Sequence, residues 1–233
     1  MKITTRIALE IFPSEVWKAI RDEWPMTKLR WRNRFSPVQK RRVDALRQLR
    51  EVRLHLGCGR RVMPEWTNVD CFAAEGIAFE CDFRDALPFA DGAVQMLYTE
   101  HVLEHLEEEN ALALLRECHR VMAPGAVIRL GIPDLEIFIR AYLSGDSEFF
   151  RHASGIGSPS RPLDTPARVI NQMARMGGHH RFAWDFETMK SAFESAGFTQ
   201  VNKGRAGFSR HDGLCLDDPE HAFETLYVEA VKA

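Results

Sequence analysis

From residue 50 onward, short apolar runs alternate with longer amphipathic stretches. Glu51–Leu56 reads as a buried strand, Thr67–Asp70 as a second, Ile77–Cys81 as a third that ends at Asp82, and Val94–Tyr98 as a fourth. A helix is predicted from about Leu106 to Met122, with Leu112, Leu115, Cys118 and Val121 inward and Pro124-Gly125 as its stop. Strand five is Ala126–Gly131. Helices follow at Asp134–Leu143, Ala167–Met176 and Asp185–Ala196, the last closed by Gly197, and Phe198–Val201 and Thr225–Ala230 read as two final strands. Such alternation predicts an α/β fold, a parallel sheet with helices on both faces and no second core. Only nine residues separate Gly59 from Val69. The first crossover therefore has room for a turn or two around Val62–Trp66 and no more.

The pattern before residue 50 differs. An extended piece is expected first, then a short helix starting at Pro13-Ser14-Glu15, with Phe12, Val16, Trp17, Ile20 and Trp24 at near-helical spacing and Pro25 as its end. Residues 28–36 read as a basic, aromatic connector. A second helix runs from Ser36-Pro37 to about Arg50, with Val38, Val43, Leu46 and Leu49 inward. It would pack on the sheet edge or cover a bound ligand. Trp17, Trp24 and Trp31, spaced by seven, read as anchors of this segment against the domain. These differences place a boundary near residue 50: an N-terminal basic and helical extension over 1–50 and the α/β domain over 51–233. Ser154–Pro166, rich in Gly, Pro and Ser, reads as a mobile loop.

Charge sharpens that boundary. The 233 residues carry a net charge of −2, yet residues 1–53 hold 14 Lys and Arg against 6 Asp and Glu. The extension is thus strongly basic and the remainder acidic. A basic block can meet nucleic acid, lipid headgroups or a nucleotide-linked substrate. The reading preferred here is that the arginines coat an exposed helix and pair with the acidic domain. Five cysteines, an odd number without a CxxC pair, read as reduced thiols of a cytoplasmic protein. No apolar run is long enough to span a bilayer, which leaves peripheral contact through the basic N-terminus as the only membrane role.

Candidate chemistry gathers at the strand ends. Leu54-His55-Leu56-Gly57-Cys58-Gly59 runs from a strand into a glycine turn, and Asn68-Val69-Asp70 closes the next strand on a carboxylate. Glycine permits positive φ and close approach of a ligand to the backbone. A strand-terminal acid beside such a bend can accept hydrogen bonds from both hydroxyls of a ribose. In GxGxxG register the third position is Val62, which disfavours a dinucleotide enzyme. Cys58 reads as a packing residue rather than a reactive thiol.

These residues resemble a class I S-adenosylmethionine (SAM)-dependent methyltransferase of the broad type 11 group. The resemblance covers roughly residues 50–200: the glycine turn, Asn-Val-Asp (68–70), Leu-Pro-Phe-Ala-Asp-Gly (87–92), Glu-His-Val-Leu-Glu-His-Leu (100–106), Arg-Val-Met-Ala-Pro-Gly (120–125) and Ala-Gly-Phe (196–198). It implies a Rossmann-like, seven-stranded, mostly parallel sheet with an antiparallel last strand. It also implies SAM as cofactor, with Gly57, Cys58 and Gly59 facing its methionine part, Asp70 on the ribose, Asp82 on the adenine amine, Phe83 against the ring, and Glu100 and His101 lining the methionine side. Two departures stand out. His55 replaces the usual acid of strand one, and Arg61 replaces the third glycine, where it can meet the methionine carboxylate. The short first crossover and the Gly178, His180, Phe182 segment resemble methyltransferases found among polysaccharide-biosynthesis proteins.

The expected activity is therefore methyl transfer from SAM to a small-molecule or glycan-like acceptor, at oxygen. A hydroxyl acceptor needs a base. His101, His105, Asp134, His179 and His180 are candidates, and His180, in a glycine-flanked loop, is the choice for the catalytic residue. Glu100–Glu104 and His101–His105, each four apart, could share a helical face as metal ligands. Local capping and ion pairing account for them equally, and no metal is expected. The competing functions are a nucleic-acid methyltransferase holding phosphates with residues 28–53, and a SAM-binding module without catalysis.

Overall fold

The computed structural model describes residues 14–155 and 162–233. Strands β1 (Val52–Leu56), β2 (Thr67–Asp70), β3 (Phe79–Glu80), β4 (Val94–Glu100), β5 (Met122–Pro133), β6 (Phe198–Lys203) and β7 (Thr225–Lys232) form one seven-stranded sheet. Its order is β3-β2-β1-β4-β5-β7-β6, and only β7 runs against the rest. The expected fold class is observed. Strands one to five are called correctly as elements, although β3 is two residues long and β4 and β5 extend further than their apolar runs. The central strands are buried on both faces, as a parallel sheet clad in helices requires. Leu54, Leu56, Val69, Leu97, Ile128 and Leu130 are fully sealed from solvent.

The first crossover holds no helix; residues 57–66 are turns. Asn68 replaces the missing helix as their anchor. Its side chain accepts from the Met63 N–H and donates to the Met63 and Trp66 carbonyls, so the backbone groups a helix would have paired are satisfied by one buried amide.

Helix α1 (Ser14–Phe35) runs straight through Pro25, correcting both the predicted stop and the connector at 28–36. Proline in a helix interior removes a hydrogen bond and costs about 3 kcal/mol. Contacts with the domain hold the turns after Pro25 in place. Arg30 pairs with Asp82 at 2.9 Å and Arg32 with Glu80 at 3.0 Å, Asn33 donates to the Glu80 carbonyl, and Glu23 pairs with Arg84. The aromatic stripe is not the anchor: Trp24, Trp31 and Phe35 are exposed. The side chain of Trp17 and the extended piece before residue 14 lie outside the described residues. In helix α2 (Pro37–Gln48), capped by Ser36, Leu46 is buried but Val38 and Leu49 face solvent.

Helix α3 (Glu108–Val121) follows a single 3₁₀ turn at Leu103–His105, not one continuous helix from residue 106. Beyond β5 lie α4 (Leu135–Ser144), α5 (Ser147–Ala153) and α6 (Pro166–Arg175). Of these, α5 has no counterpart in the sequence prediction. Phe138, Ala141, Phe150, Ala153, Val169 and Met173 close into a small apolar cluster of their own, a satellite core that the sequence pattern did not reveal. Most of the loop expected at Ser154–Pro166 lies outside the described residues. Helix α7 (Phe186–Ser195), capped by Asp185, leads back into β6. No described helix is long and apolar enough to cross a membrane.

Candidate functional site

The site is built where β1 and β4 end. After Leu56 the chain bends through Gly57 (φ +73°) and Gly59 (φ +53°). A Cβ on Gly57 would come within 2.0 Å of a Val102 methyl carbon and 3.7 Å of the Phe83 ring, so only glycine fits. Nothing lies within 4 Å of a Cβ placed on Gly59, and that side of the bend is open. Asp70 locks the bend by accepting from the Gly59 N–H at 2.7 Å and the Phe72 N–H at 3.0 Å. Each carboxylate oxygen keeps a further lone pair for a ligand.

A cavity of about 330 Å³ opens from this bend. It brings together Gly57, Cys58, Arg61, Glu100, His101 and His180 from the predicted set. Gly59, Asp70, Asp82 and Phe83 are outside its lining, although Gly59 directly follows Cys58 and is bonded to Asp70. Phe83 is packed in the core beside Gly57. The Asp82 carboxylate is engaged by Arg84 and by Arg30 of α1. Burial works against its charge, but the Arg84 hydrogen bonds prevail and its pKa falls below the usual carboxylate value. Cys58 is buried and its thiol is pushed up to about 11, chiefly by desolvation, which agrees with a packing role. The five cysteines are free.

Glu100, at the end of β4, is the fixed acid of the cavity. It accepts from the Tyr98 and Tyr227 hydroxyls at 2.7 Å each and from the Asp218 N–H, and pairs with Arg61 at 3.4 Å. Arg61 also donates to the Leu216 carbonyl. The loop between β6 and β7 that supplies Leu216, Asp218, His221 and Glu224 is pinned by Arg129 on β5. Arg129 is fully buried and pairs with Asp217 and Glu229. These loop residues were missed from the sequence. Their separation from the β4 motif exceeds a hundred residues, and no local pattern marks them.

A cluster of imidazoles forms the far wall. His101, in the left-handed region at φ +53°, places Nδ1 3.1 Å from Glu104 Oε1 and Nε2 3.2 Å from Thr225 Oγ1. Burial opposes its charge, but the Glu104 carboxylate overcomes this and raises its pKa. His105 and His180 meet edge to face, ring centroids 4.7 Å apart. His105 Nδ1 faces the His179 carbonyl at 3.3 Å, and His180 Nδ1 faces the Met173 carbonyl at 2.5 Å. A carbonyl only accepts, so both rings carry their proton on Nδ1 and turn Nε2 outward as a lone pair. Desolvation lowers the His180 pKa and keeps it neutral at pH 7. Asp134 caps α4 and pairs with Lys203, and His179 is exposed and contributes its carbonyl.

Residues 70–130 match the family model described as "Methyltransferase domain". That span runs from the Asp70 carboxylate through β3, β4 and α3 into β5, within a sheet whose seventh strand is reversed. Over residues 70–130 the chain is similar to a methyltransferase domain, and the surrounding sheet has the seven strands and the reversed strand that such a resemblance implies. No curated protein matches the chain. Among solved structures, a SAM-dependent methyltransferase from Thermotoga maritima, described as a possible histamine N-methyltransferase, is 16% identical, with 88% of this chain and 99% of that one covered and a TM-score of 0.47. A SAM-dependent methyltransferase from Archaeoglobus fulgidus is also 16% identical, covering 87% of this chain and 98% of that one, at a TM-score of 0.46. A Bordetella parapertussis protein described as a possible exported protein shares 16%, with 84% of this chain and 68% of that one covered and a TM-score of 0.45.

The methyltransferase family's cofactor is SAM. The residues present suit it: an open backbone bend at Gly59, a strand-terminal carboxylate with spare acceptor capacity, and a cavity continuing past Arg61 and Glu100. Only the Asp82 carboxylate arrives already occupied by two guanidinium groups.

Proposed function

We propose that this methyltransferase moves the methyl group of SAM to a hydroxyl of a small or glycan-like acceptor, with His180 taking the proton. The observation that carries the reading is the cavity itself. Its lining joins the glycine bend, Arg61 and Glu100 to the imidazole cluster, where the buried His180 ring holds Nδ1 against the Met173 carbonyl and its pKa is lowered by desolvation. Methyl transfer from a sulfonium is an in-line displacement that depends on alignment, and a hydroxyl nucleophile must lose its proton as it attacks. In this reading Asp70 holds the ribose hydroxyls, Gly57, Cys58 and Gly59 back the methionyl part, and Arg61 receives its carboxylate. Phe83 flanks the adenine beside Gly57, and Asp82 reaches its amine once Arg30 yields.

The nucleic-acid alternative is weakened by the use made of the basic segment. Arg30 and Arg32 are spent on Asp82 and Glu80 within the chain. A binding module without catalysis would have no use for a neutral buried imidazole facing an acceptor space.

The test is a screen of nucleotide sugars, glycans and then RNA with methyl-labelled SAM, repeated with His180→Ala. Label should enter a hydroxyl-bearing acceptor, and the variant should lose about 100-fold or more in turnover while binding S-adenosylhomocysteine as tightly as before. Parallel loss of cofactor affinity would place His180 in the cofactor shell and contradict the assignment.

A further inference from the structure

One buried group in the cavity is left unexplained by methyl transfer. Glu104 is 2% exposed. Its Oε1 meets His101, but its Oε2 has no hydrogen-bond partner. A buried carboxylate oxygen without a partner costs on the order of 1–3 kcal/mol or more. Beside it stand His105 and His180, and one potential ligand atom from each of the three residues lies within 4.8 Å of the others. All three residues line the cavity.

We propose that Glu104, His105 and His180 bind a divalent transition-metal ion, of the zinc or manganese class, at the acceptor end of the cavity. Both imidazoles are set for ligation. Their Nδ1–H groups are tied to the His179 and Met173 carbonyls, the second-layer hydrogen bond that fixes the tautomer and aims Nε2 at an ion. His101 plays the matching part for the carboxylate, its Nδ1 holding Oε1 and leaving Oε2 free. Two imidazoles and a carboxylate form an N₂O donor set suited to zinc, with a fourth position left for water or substrate. Ligand atoms around a tetrahedral zinc lie about 3.3 Å apart, from bonds of about 2.0–2.1 Å. Closure from 4.8 Å therefore needs about 1 Å of movement per side chain, and His105 is exposed and free to supply it.

This site differs from the one the sequence suggested. Glu100 and His101 are spent on tyrosines and on Glu104. Leu103–His105 is a 3₁₀ turn, so the four-residue spacing makes no shared helical face. The third ligand comes instead from His180, seventy-five positions downstream of His105. An ion here would lower the pKa of an acceptor hydroxyl in its open position. That consequence rests on the methyl-transfer reading, whereas the binding itself does not. With the ion present, His180 acts through it rather than as the base.

The experiment uses the full chain after dialysis against a chelator, titrated with Zn²⁺ by calorimetry and with Co²⁺ by visible absorption. One equivalent should bind with micromolar or tighter affinity, and Co²⁺ should give the d–d bands of a four- or five-coordinate ion. His105→Ala and His180→Ala should each weaken binding at least about tenfold, while His211→Ala, remote from the cluster, should not. His105 is exposed, so its variant keeps the fold; melting curves without metal verify this. Absence of stoichiometric binding overturns the proposal, and so does binding indifferent to both His105 and His180. Neither result depends on finding the methyl acceptor.

Discussion

His55 shows how one residue can answer to two demands. The family pattern leads one to expect an acid at this place in β1, and the chain supplies an imidazole that donates toward Asn68 Oδ1 at 3.1 Å. Asn68 in turn holds the turns of the short first crossover. Burial drives the His55 pKa down to about 4. Below pH 6.5 the unfolded chain takes up a proton that the native state refuses, so this contribution is complete above pH 6.5 and is lost as pH falls toward 4. The gap from 6.5 to about 4 corresponds to about 3 kcal/mol. His180 and His119, also lowered by burial, act in the same direction; His101 and His221 oppose it. In denaturant titrations between pH 7 and pH 4, wild type should lose about 3 kcal/mol more than His55→Gln. Parallel curves would show that the buried imidazole does not set the acid limb. The sequence flagged His55 as a departure from the acid, but its partner Asn68 was read only as part of a motif. The pairing across β1 and β2 becomes visible only with the strand register.

At the scale of elements, α1 is the instructive miss. Pro25 is a sound stop signal for an isolated helix, and the aromatic spacing suggested the wrong face. The helix continues because Arg30 and Arg32, after Pro25, reach the distant acids Asp82 and Glu80 on and just beyond β3. No local pattern carries that information; only the charge asymmetry between the extension and the domain hinted at it. Combining Glu23→Gln, Arg30→Gln and Arg32→Gln should release the segment. Hydrogen exchange of the amides of residues 26–35 should then quicken at least about tenfold, with β1 and β4 unaffected. Unchanged protection would mean that apolar packing, not these ion pairs, holds the helix. The strands, by contrast, were legible as elements, although β3 is shorter and β4 and β5 longer than their apolar runs. A doubly covered parallel sheet writes itself as continuous apolar runs, and Thr67–Asp70 was bounded correctly because Asp70 ends the run on a charge.

For the whole molecule, the alternation of strands and helices was enough to anticipate the class of fold, and the glycine turn and Asp70 were enough to locate one end of the cavity. The other end was not legible. Asp218, His221 and Glu224 come from a polar loop whose position depends on Arg129 gripping Asp217 and Glu229 in the interior. Phe138, Val169 and Met173, which line the cavity, belong to helices whose mutual packing the pattern did not announce. Sequence therefore revealed the glycine bend, where backbone geometry demands particular residue types, and left the rest of the cavity obscure, where distant side chains converge. The boundary expected near residue 50 is crossed by apolar packing as well as by charge: Leu46 of α2 belongs to the main core, while Arg30 and Arg32 of α1 pair with Asp82 and Glu80.

All of this turns on whether an adenosyl group is held at the Gly57–Gly59 bend by Asp70. Calorimetry with S-adenosylhomocysteine, on wild type and on Asp70→Ala of verified melting temperature, measures it directly. Loss of two charge-assisted hydrogen bonds should weaken binding roughly 100-fold, with Asp70→Asn in between. Equal affinity in wild type and Asp70→Ala would contradict the account.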